Sequence, residues 1–465
     1  MSQKIYDFIV IGSGSSGGTL ARTLHDSGAK ILLLEAGKLY NKKTFPRNEM
    51  DFSSELFWGG GLEFDVKAQT AFLRAKCVGG TTIVNQALMD RFDEDCFSDW
   101  TARSGVDFFS EEAMAPYYER AEQRIGLHTF EGKSMNRNAK LFTEACNTLG
   151  HKWKYLRRAQ SDCKHDEGND CVACLGGCHR DSKQSSYVAS IKEAIKNGLE
   201  LVSEFEVEEL VHSNDQVVVR GYKHGEKIEY TGAKVCVAGG SFGSTSLLLK
   251  SGYKKDLPAL GKGFCQHPQF MYFGMFDDYV DSHKGAFQTV ASGDPQFRKK
   301  GFKLEVVYAQ PISICMLLGE TGMSQQEIMR NYRKLSCIEV AVRDEPEGGE
   351  IKMDKKGNIQ IVKNLTDQDL RRKNDGVETL MNILHAQKPR KVIESPMFFG
   401  LHLMGGCSIG VNKDTSVVNP DFQVHGKKNI YIADTSVYPS APGINPSLTA
   451  MTLSIKLSDH LLGKD

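Results

Sequence analysis

The chain has 465 residues, and its 58 Lys and Arg residues are matched by 58 Asp and Glu residues, so the formal net charge is zero. A chain of this length buries a large core and usually folds as two or three domains. The absence of a basic surplus argues against nucleic acid as a partner, and no apolar run resembles a membrane span or a signal peptide, so we expect a cytoplasmic protein.

The first predicted elements form a dinucleotide-binding motif. The apolar run at residues 8–11 predicts a strand, and Gly12, Gly14 and Gly17 follow it with the spacing G-x-G-x-x-G at the start of a helix. Such glycines allow a tight turn, a close approach of the backbone to a pyrophosphate, and packing of the helix on the strand. Glu35 ends the next predicted strand, where a carboxylate accepts hydrogen bonds from ribose hydroxyls. Because an acid there disfavours a 2′-phosphate, the motif predicts FAD or NAD rather than NADP.

Four cysteines then lie close together in a polar loop that contains glycine. Cys163, Cys171, Cys174 and Cys178 have the spacing C-x7-C-x2-C-x3-C. Grouped thiolates bind an iron–sulfur cluster or zinc, and we favour the iron–sulfur cluster of the two. The alternative is a structural role, with disulfides or free thiols that stiffen the loop. The remaining cysteines are scattered and are expected to be thiols of a reducing compartment.

Later segments predict a second domain inserted into the first. Residues 234–252 again predict a strand, a glycine turn and a helix, and residues 429–434 and 446–462 predict a strand and an amphipathic helix. Between them, strands are expected at 271–276, 303–309 and 337–343, a hairpin around 355–357, and a helix over 366–386. The predicted fold is an α/β nucleotide-binding domain (residues 1–268 and 396–465) interleaved with an α+β domain on an antiparallel sheet (residues 269–395).

Motifs in a fixed order give the chain a resemblance to the glucose-methanol-choline (GMC) flavin oxidoreductases. After the N-terminal motif, the matching segments are residues 76–85, 99–100, 115–122, 237–243, 260–268, 402–407, 433–439 and 443–449. The C-terminal third is most similar to cholesterol oxidases and to the flavin subunits of bacterial sugar and polyol dehydrogenases. The resemblance implies a Rossmann-like FAD-binding domain of the GMC and p-hydroxybenzoate hydroxylase type, joined to a substrate domain.

The resemblance also implies FAD held without a covalent bond. No histidine lies between residues 72 and 90, the zone from which some members attach the flavin. The residues that the motif and the resemblance place around FAD are Gly12, Ser13, Gly14, Ser16, Gly17, Glu35, Ala36, Gly79, Gly80, Thr81, Asn85, Val207, Ala238, Gly239, Asp434, Pro446 and Ser447. A loop like 163–178 holds an iron–sulfur cluster in some flavin subunits of the family.

The resemblance places the chemistry on His402 and Asn445. Oxidation of an alcohol by hydride transfer to flavin N5 requires removal of the hydroxyl proton, and a rigidly held histidine is suited to act as the base. Asn445 matches a partner position whose amide orients the alcohol and stabilises alkoxide character. Two other histidines in family-like turns, His267 and His425, are interpreted as structural.

The resulting hypothesis is an FAD-dependent alcohol dehydrogenase or oxidase that acts on a CH–OH group of a sugar, polyol, sterol or related alcohol. The electron acceptor is O2, a quinone or a redox protein, and the cysteine loop favours an acceptor other than O2. Two alternatives stay open: a non-catalytic electron-transfer or assembly subunit, and an internal redox or isomerisation use of the flavin. The presence of both His402 and Asn445 favours the enzyme.

Overall fold

The computed structural model describes residues 4–129, 132, 135–161, 163, 174–213, 215–285 and 288–464. The strands are β1 Ile5–Ile11, β2 Ile31–Leu34, β3 Glu63–Phe64, β4 Thr70–Phe72, β5 Leu127–Thr129, β6 Trp153–Tyr155, β7 Arg157–Ala159, β8 Glu200–Val202, β9 Phe205–Ser213, β10 Gln216–Lys223, β11 Glu226–Val237, β12 Cys265–Met275, β13 Val290–Ser292, β14 Phe302–Val306, β15 Leu335–Val342, β16 Gly349–Met353, β17 Ile359–Lys363, β18 Lys391–Glu394, β19 Phe398–Met404 and β20 Ile430–Ile432.

The helices are α1 Ser15–Asp26, α2 Glu49–Leu56, α3 Glu94–Ser104, α4 Glu111–Ile125, α5 Arg137–Leu149, α6 Lys192–Lys196, α7 Gly240–Lys250, α8 Pro295–Lys300, α9 Pro311–Leu318, α10 Gly322–Arg330, α11 Asp367–Ala386 and α12 Ser447–Leu461. A π-helical turn, Tyr187–Ile191, leads into α6. Within the described ranges, every helix is too short or too polar to cross a lipid bilayer.

The first sheet carries the dinucleotide motif. Its order is β8-β2-β1-β11-β10-β9, with β20 also paired to β11. β8, β2, β1, β11 and β20 are parallel, whereas β11, β10 and β9 are antiparallel. β2 is a run of Ile and Leu buried throughout, as expected for a parallel strand covered on both faces. The helix α1 connects β1 to β2 and packs along α12, so its first turn lies at the carboxyl end of β1, where such sheets bind nucleotides.

The second sheet is mostly antiparallel and has the order β3-β4-β19-β12-β15-β14-β13-β6, with β18 also paired to β12. One face packs on α5 and α11 through a core that includes Phe302, Leu304 and Leu384. Because side chains alternate along a strand, Lys303 and Glu305 of β14 lie on the opposite face. That face points away from α5 and α11.

The predicted α/β class, with a nucleotide-binding sheet and a second antiparallel sheet, is confirmed. The strands expected at 271–276, 303–309 and 337–343 are β12, β14 and β15, and the expected hairpin is β16–β17, which turns at Gly357 with φ +86°. The helix expected over 366–386 is α11. It starts where Thr366 and Asp369 form a capping box that satisfies the first free N–H groups.

The predicted domain division at residues 268/269 stays a prediction, and the structure adds two facts to it. Strand β12 crosses that boundary, pairing with β19 on one side and β15 on the other. Strands β3, β4 and β6 add earlier residues to the second sheet. Strand pairing, which sequence periodicity does not report, therefore places residues from before that boundary in the second sheet.

Candidate functional site

The glycine turn after β1 combines tight packing with open space. Gly12 has φ +97°, and a Cβ atom there would lie 2.3 Å from the carbonyl oxygen of Ala238, so no other residue fits. At Gly14, directly before α1, an added Cβ would meet no atom within 4 Å. The first turn of α1 offers N–H groups and the positive end of the helix dipole to this space. The turn therefore fits the pyrophosphate of a dinucleotide.

Ser13 joins this turn to two other predicted cofactor residues. Its N–H and hydroxyl donate to Glu35 Oε2 at 3.0 and 2.6 Å, and its Oγ accepts from the N–H of Gly79 at 2.9 Å. Burial raises the pKa of Glu35, and the hydrogen bonds from Ser13 and Gly37 oppose that shift. Glu35 therefore fixes the glycine turn, and its contact with a ribose stays a prediction.

The predicted flavin segment, residues 79–85, is held against the same turn. Gly79 has φ +100°, and the hydroxyl of Thr82 donates to its carbonyl oxygen at 2.5 Å. The hydroxyl of Ser186 lies 2.9 Å from the backbone oxygens of Ser13 and Gly14, so Ser186 contacts the glycine turn. The two predicted parts of the cofactor site are thus connected directly by hydrogen bonds.

Lys183 is a buried residue of this site that sequence reasoning missed. Its side chain is 1 % exposed, and Nζ donates to the backbone oxygens of Ile83, Asn85 and Cys174 at 2.7, 2.7 and 2.6 Å. Burial lowers the pKa of Lys183, and the three carbonyl oxygens compensate for its lost hydration. Lys183 therefore ties the flavin segment to Cys174.

Asp434 joins the start of α7 to the C-terminal segment. Its Oδ2 accepts from the N–H of Gly240 and the hydroxyl of Ser244, at 2.8 and 2.5 Å, and its Oδ1 accepts from the N–H of Ser436 at 2.8 Å. Asp434 is 2 % exposed, so its carboxylate organises the backbone around the predicted cofactor.

The other predicted cofactor residues lie on neighbouring elements. Val207 is on β9, whose Phe205 N–H donates to the carbonyl oxygen of Glu35 at 2.9 Å. This places β9 at the predicted ribose end of the site. Of the remaining predicted residues, Ser16 and Gly17 lie in α1, and Ala36 follows Glu35. Gly80 and Thr81 follow Gly79, Ala238 and Gly239 follow β11, and Pro446 and Ser447 lie at the start of α12.

A register shift between β12 and β19 brings two histidines together. Cys265 lies opposite Met404 and His267 lies opposite Leu401, so β19 carries one extra residue between these pairs. His402 lies in that interval with φ +58°, a left-handed conformation that is rare outside glycine. Such bulges redirect side chains, and here Nδ1 of His402 lies 2.9 Å from Nδ1 of His267.

The hydrogen bonds of His267 determine the proton positions in this pair. The N–H of Gly443 donates to His267 Nε2 at 3.0 Å, so neutral His267 carries its proton on Nδ1 and donates it toward His402 Nδ1. Neutral His402 then carries its proton on Nε2. His267, interpreted from the sequence as structural, is therefore in direct contact with the predicted base and sets its tautomer. His425 lies elsewhere, with Nε2 3.0 Å from the hydroxyl of Ser416.

Asn445 faces the other nitrogen of His402. Its Oδ1 accepts from Lys303 Nζ at 2.7 Å, which leaves Nδ2 as the end that lies 3.4 Å from His402 Nε2. Both facing groups are N–H donors in this arrangement. Two converging donors suit an oxygen atom that accepts from both, such as the oxygen of an alcohol or alkoxide.

Both histidines are held neutral. Burial, with a smaller contribution from the ammonium of Lys303, lowers the pKa of His402 to about 3. Burial, with a smaller contribution from the ammonium of Lys303, lowers the pKa of His267 well below its usual value. A neutral imidazole keeps one lone pair, and in this arrangement the lone pair of His402 is on Nδ1, where it accepts from His267.

We expect these shifts to make the fold sensitive to acid. The pKa of His402 falls from 6.5 to about 3 on folding, so between these values the unfolded chain binds a proton that the folded chain does not. The stabilisation is complete above about pH 6.5 and is lost as the pH falls toward 3. Urea unfolding at pH 7, 5.5 and 4.5 measures it, and His402→Asn should lose less free energy of unfolding over this range. Equal losses in both proteins would contradict the assignment.

The four-cysteine site is only partly described. Cys163, Cys174 and Cys178 are within the described residues, whereas Cys171 is outside them. Among the residues that the structure describes, there is no group of three or more His, Cys, Asp or Glu side chains arranged to hold a metal ion. The iron–sulfur cluster therefore stays a prediction that depends in part on Cys171.

Lys303 and Glu305 were also missed from the sequence, although a signal was present. They alternate with apolar residues in the strand Phe302–Val306, and Glu339 does the same in β15. Charged residues on one face of otherwise apolar buried strands indicate a polar site on that face. Only the contact of Lys303 Nζ with Asn445 Oδ1 shows that this face adjoins Asn445.

Comparisons with known proteins agree with the fold described above. Residues 6–269 and 349–454 match two family models described as GMC oxidoreductase. The uncharacterized GMC-type oxidoreductase y4nJ of Sinorhizobium fredii is 25 % identical, over 98 % of this chain and 94 % of that protein. Long-chain-alcohol oxidase FAO4A of Arabidopsis thaliana is 24 % identical, over 96 % of this chain and 67 % of that protein. The solved structure of pyridoxine 4-oxidase from Mesorbium loti has a TM-score of 0.74 at 14 % identity, over 97 % of this chain and 98 % of that one.

Proposed function

The chain belongs to the GMC oxidoreductase family, and we propose that it is an FAD-dependent enzyme that oxidises a CH–OH group, with His402 and Asn445 at the reacting hydroxyl. The observation that carries this proposal is the convergence of His402 Nε2 and Asn445 Nδ2, 3.4 Å apart. Asn445 lies just before α12, which packs along α1 of the dinucleotide turn. The long-chain-alcohol oxidase among the relatives supports an alcohol as the hydride donor.

The glycine turn, Glu35 and the segment 79–85 are the residues that we propose to hold FAD without a covalent bond. Open space at Gly14, beside the first turn of α1, matches the pyrophosphate of this group. When bound, FAD supplies a hydride acceptor at N5. The side chains of the protein orient the alcohol and accept its hydroxyl proton.

The proton positions define what the histidine pair must do. For His402 Nε2 to accept the hydroxyl proton, the ring proton of His402 must lie on Nδ1 and be donated to His267. His267 must then carry its own proton on Nε2, which faces the N–H of Gly443. We infer that both rings change tautomer by exchange with water before the alcohol binds: each ring releases one proton to water and takes one from water on its other nitrogen, and the N–H of Gly443 loses its acceptor on His267. Asn445 Nδ2 then holds the hydroxyl oxygen in place. Lys303 donates to Asn445 Oδ1 and so fixes the amide with Nδ2 toward that oxygen.

An acceptor other than O2, either a quinone or a redox protein, is the second part of the proposal, and it rests on the cysteine loop. Iron and acid-labile sulfide in anaerobically purified protein, both lost in Cys174→Ser, would support an iron–sulfur cluster there. Iron-free and fully active enzyme would rule the cluster out. A cytoplasmic location stays a prediction.

The proposed function is tested by anaerobic bleaching of the bound flavin. We expect at least one member of a panel of sugars, polyols, sterols and long-chain alcohols to reduce it, and subsequent exposure to air to separate an oxidase from a dehydrogenase. Acid or heat should release the flavin as free FAD. Flavin that dithionite reduces but no alcohol reduces would favour the non-catalytic electron-transfer subunit.

A further inference from the structure

Lys303 contacts Asn445 of the predicted catalytic pair, and two buried acids, Glu305 and Glu339, lie on the same face of the sheet. Its Nζ lies 2.7 Å from Asn445 Oδ1 and 3.0 Å from Glu305 Oε1. Glu305 lies directly opposite Glu339 in the pairing of β14 with β15, and both acids are 1 % exposed. The side chain of Lys303 is 16 % exposed. A ligand at this point therefore meets the ammonium of Lys303 rather than the carboxyl groups.

The ammonium has capacity for one more acceptor. A lysine ammonium carries three N–H donors, and among the described residues Lys303 donates a hydrogen bond to Asn445 and forms an ion pair with Glu305. A donor that is partly withdrawn from water and has no acceptor is unfavourable. A substrate oxygen beside Asn445 would satisfy the third N–H.

The charge balance indicates which kind of oxygen fits. Burial and the neighbouring Glu305 raise the pKa of Glu339 well above its usual value, which favours the neutral form of this carboxyl group. Lys303 and Glu305 then form an ion pair with no net charge. Such a pair has no excess charge to attract a carboxylate or an ammonium group, so a neutral hydroxyl oxygen is the group best suited to it.

We propose that Lys303 orients Asn445 and binds a second hydroxyl of the substrate, on the carbon next to the reacting CH–OH group, so that polyhydroxylated alcohols are selected over long-chain alcohols and sterols. This proposal rests on the proposed function of the same site. Asn445 Nδ2 holds the reacting oxygen, and Lys303 is bonded to the adjacent Oδ1 of the same amide. Oxygens on neighbouring carbons therefore match the two positions. Loss of such a contact costs roughly a 10- to 100-fold change in specificity.

The test uses matched alcohols and the FAD-loaded enzyme. Anaerobic stopped-flow reduction is measured with butane-2,3-diol and butan-2-ol, and with cyclohexane-1,2-diol and cyclohexanol. We expect the wild type to favour each diol by roughly 30-fold or more in the ratio of reduction rate to dissociation constant. The ratio is measured within one protein, so it does not depend on the fraction that is correctly folded.

Three variants assign the preference to the ammonium. The double variant Lys303→Met/Glu305→Gln removes the ammonium without leaving a buried carboxylate unpaired, and its diol preference should fall close to one. Lys303→Gln has two N–H donors, which can face Asn445 and Glu305, but it lacks a third, so its diol preference should also fall close to one. It replaces the double variant if that protein fails to bind FAD. Lys303→Arg should restore most of the preference, and the exposed control Lys300→Met should keep the wild-type ratio.

The outcomes separate this proposal from the one it rests on. If the diols and the mono-alcohols reduce wild-type flavin equally well, the second hydroxyl site is wrong and the alcohol oxidation stands. If Lys303→Gln keeps the wild-type ratio, the role of Lys303 is wrong. If no alcohol of either kind reduces the flavin, the proposed function itself fails.

Discussion

Replacement of His402 by alanine is expected to slow flavin reduction by an alcohol roughly a hundredfold or more, the usual scale for loss of a positioned general base. FAD binding should persist, because the glycine turn, Glu35 and the segment 79–85 lie on other elements. Anaerobic stopped-flow at saturating alcohol measures the rate. His385→Ala, an exposed histidine on α11, is the matched control and should reduce its flavin at the wild-type rate.

The pH profile adds a second criterion for His402. Because its pKa is about 3, His402 is neutral from pH 5 to 9, and the wild-type reduction rate should not titrate with this residue over that range. Asn445→Ala should also slow reduction, through lost orientation of the hydroxyl. A wild-type rate of reduction in His402→Ala would show that the base lies elsewhere in the site.

Replacement of Lys183 by methionine is expected to lower the free energy of unfolding by about 3–5 kcal/mol and to weaken FAD retention. Three carbonyl oxygens lose a charged donor in this variant, and two of them belong to the segment 79–85 that we propose to hold FAD. Urea unfolding measures the first effect, and the fraction of FAD kept through gel filtration measures the second.

Lys192→Met is the control for that experiment. Lys192 pairs with Asp181 at 2.7 Å with its side chain 39 % exposed, and exposed pairs contribute about 1 kcal/mol or less. If Lys183→Met is no less stable than Lys192→Met, Lys183 does not hold the flavin segment. Retention of FAD at the wild-type level in a destabilised Lys183→Met would confine its role to folding.

Local patterns account for what the sequence predicted well. The glycine turn depends on a few adjacent residues, and α11 is marked by the capping box of Thr366 and Asp369. The contact between His267 and His402 is different, because it depends on one extra residue in β19 relative to its partner strand β12. The two histidines are more than 130 positions apart in the sequence. No periodicity within either strand reports that offset. Family motifs indicated His402 and Asn445, but not that His267 adjoins them.

Lys183 and Lys303 were missed for a related reason. A lysine in a sequence is normally assigned to the surface, and only the three-dimensional arrangement shows that these two meet carbonyl oxygens and an amide. The alternation of charge in β14 could have indicated Lys303. Nothing in the local pattern around Lys183 distinguishes a buried ammonium from an exposed one.

The central position of β12 has a mechanical consequence. This strand is paired on both sides, to β19 and to β15, and it carries His267 at its start. Sliding it would break two ladders of hydrogen bonds at once, so the histidine pair and the β14–β15 face that carries Lys303 move as one rigid unit. A hinge between the histidine pair and Lys303 is therefore not available through this strand. Changes of substrate range during evolution would be expected in the loops around the sheet, where geometry can vary without displacing His402.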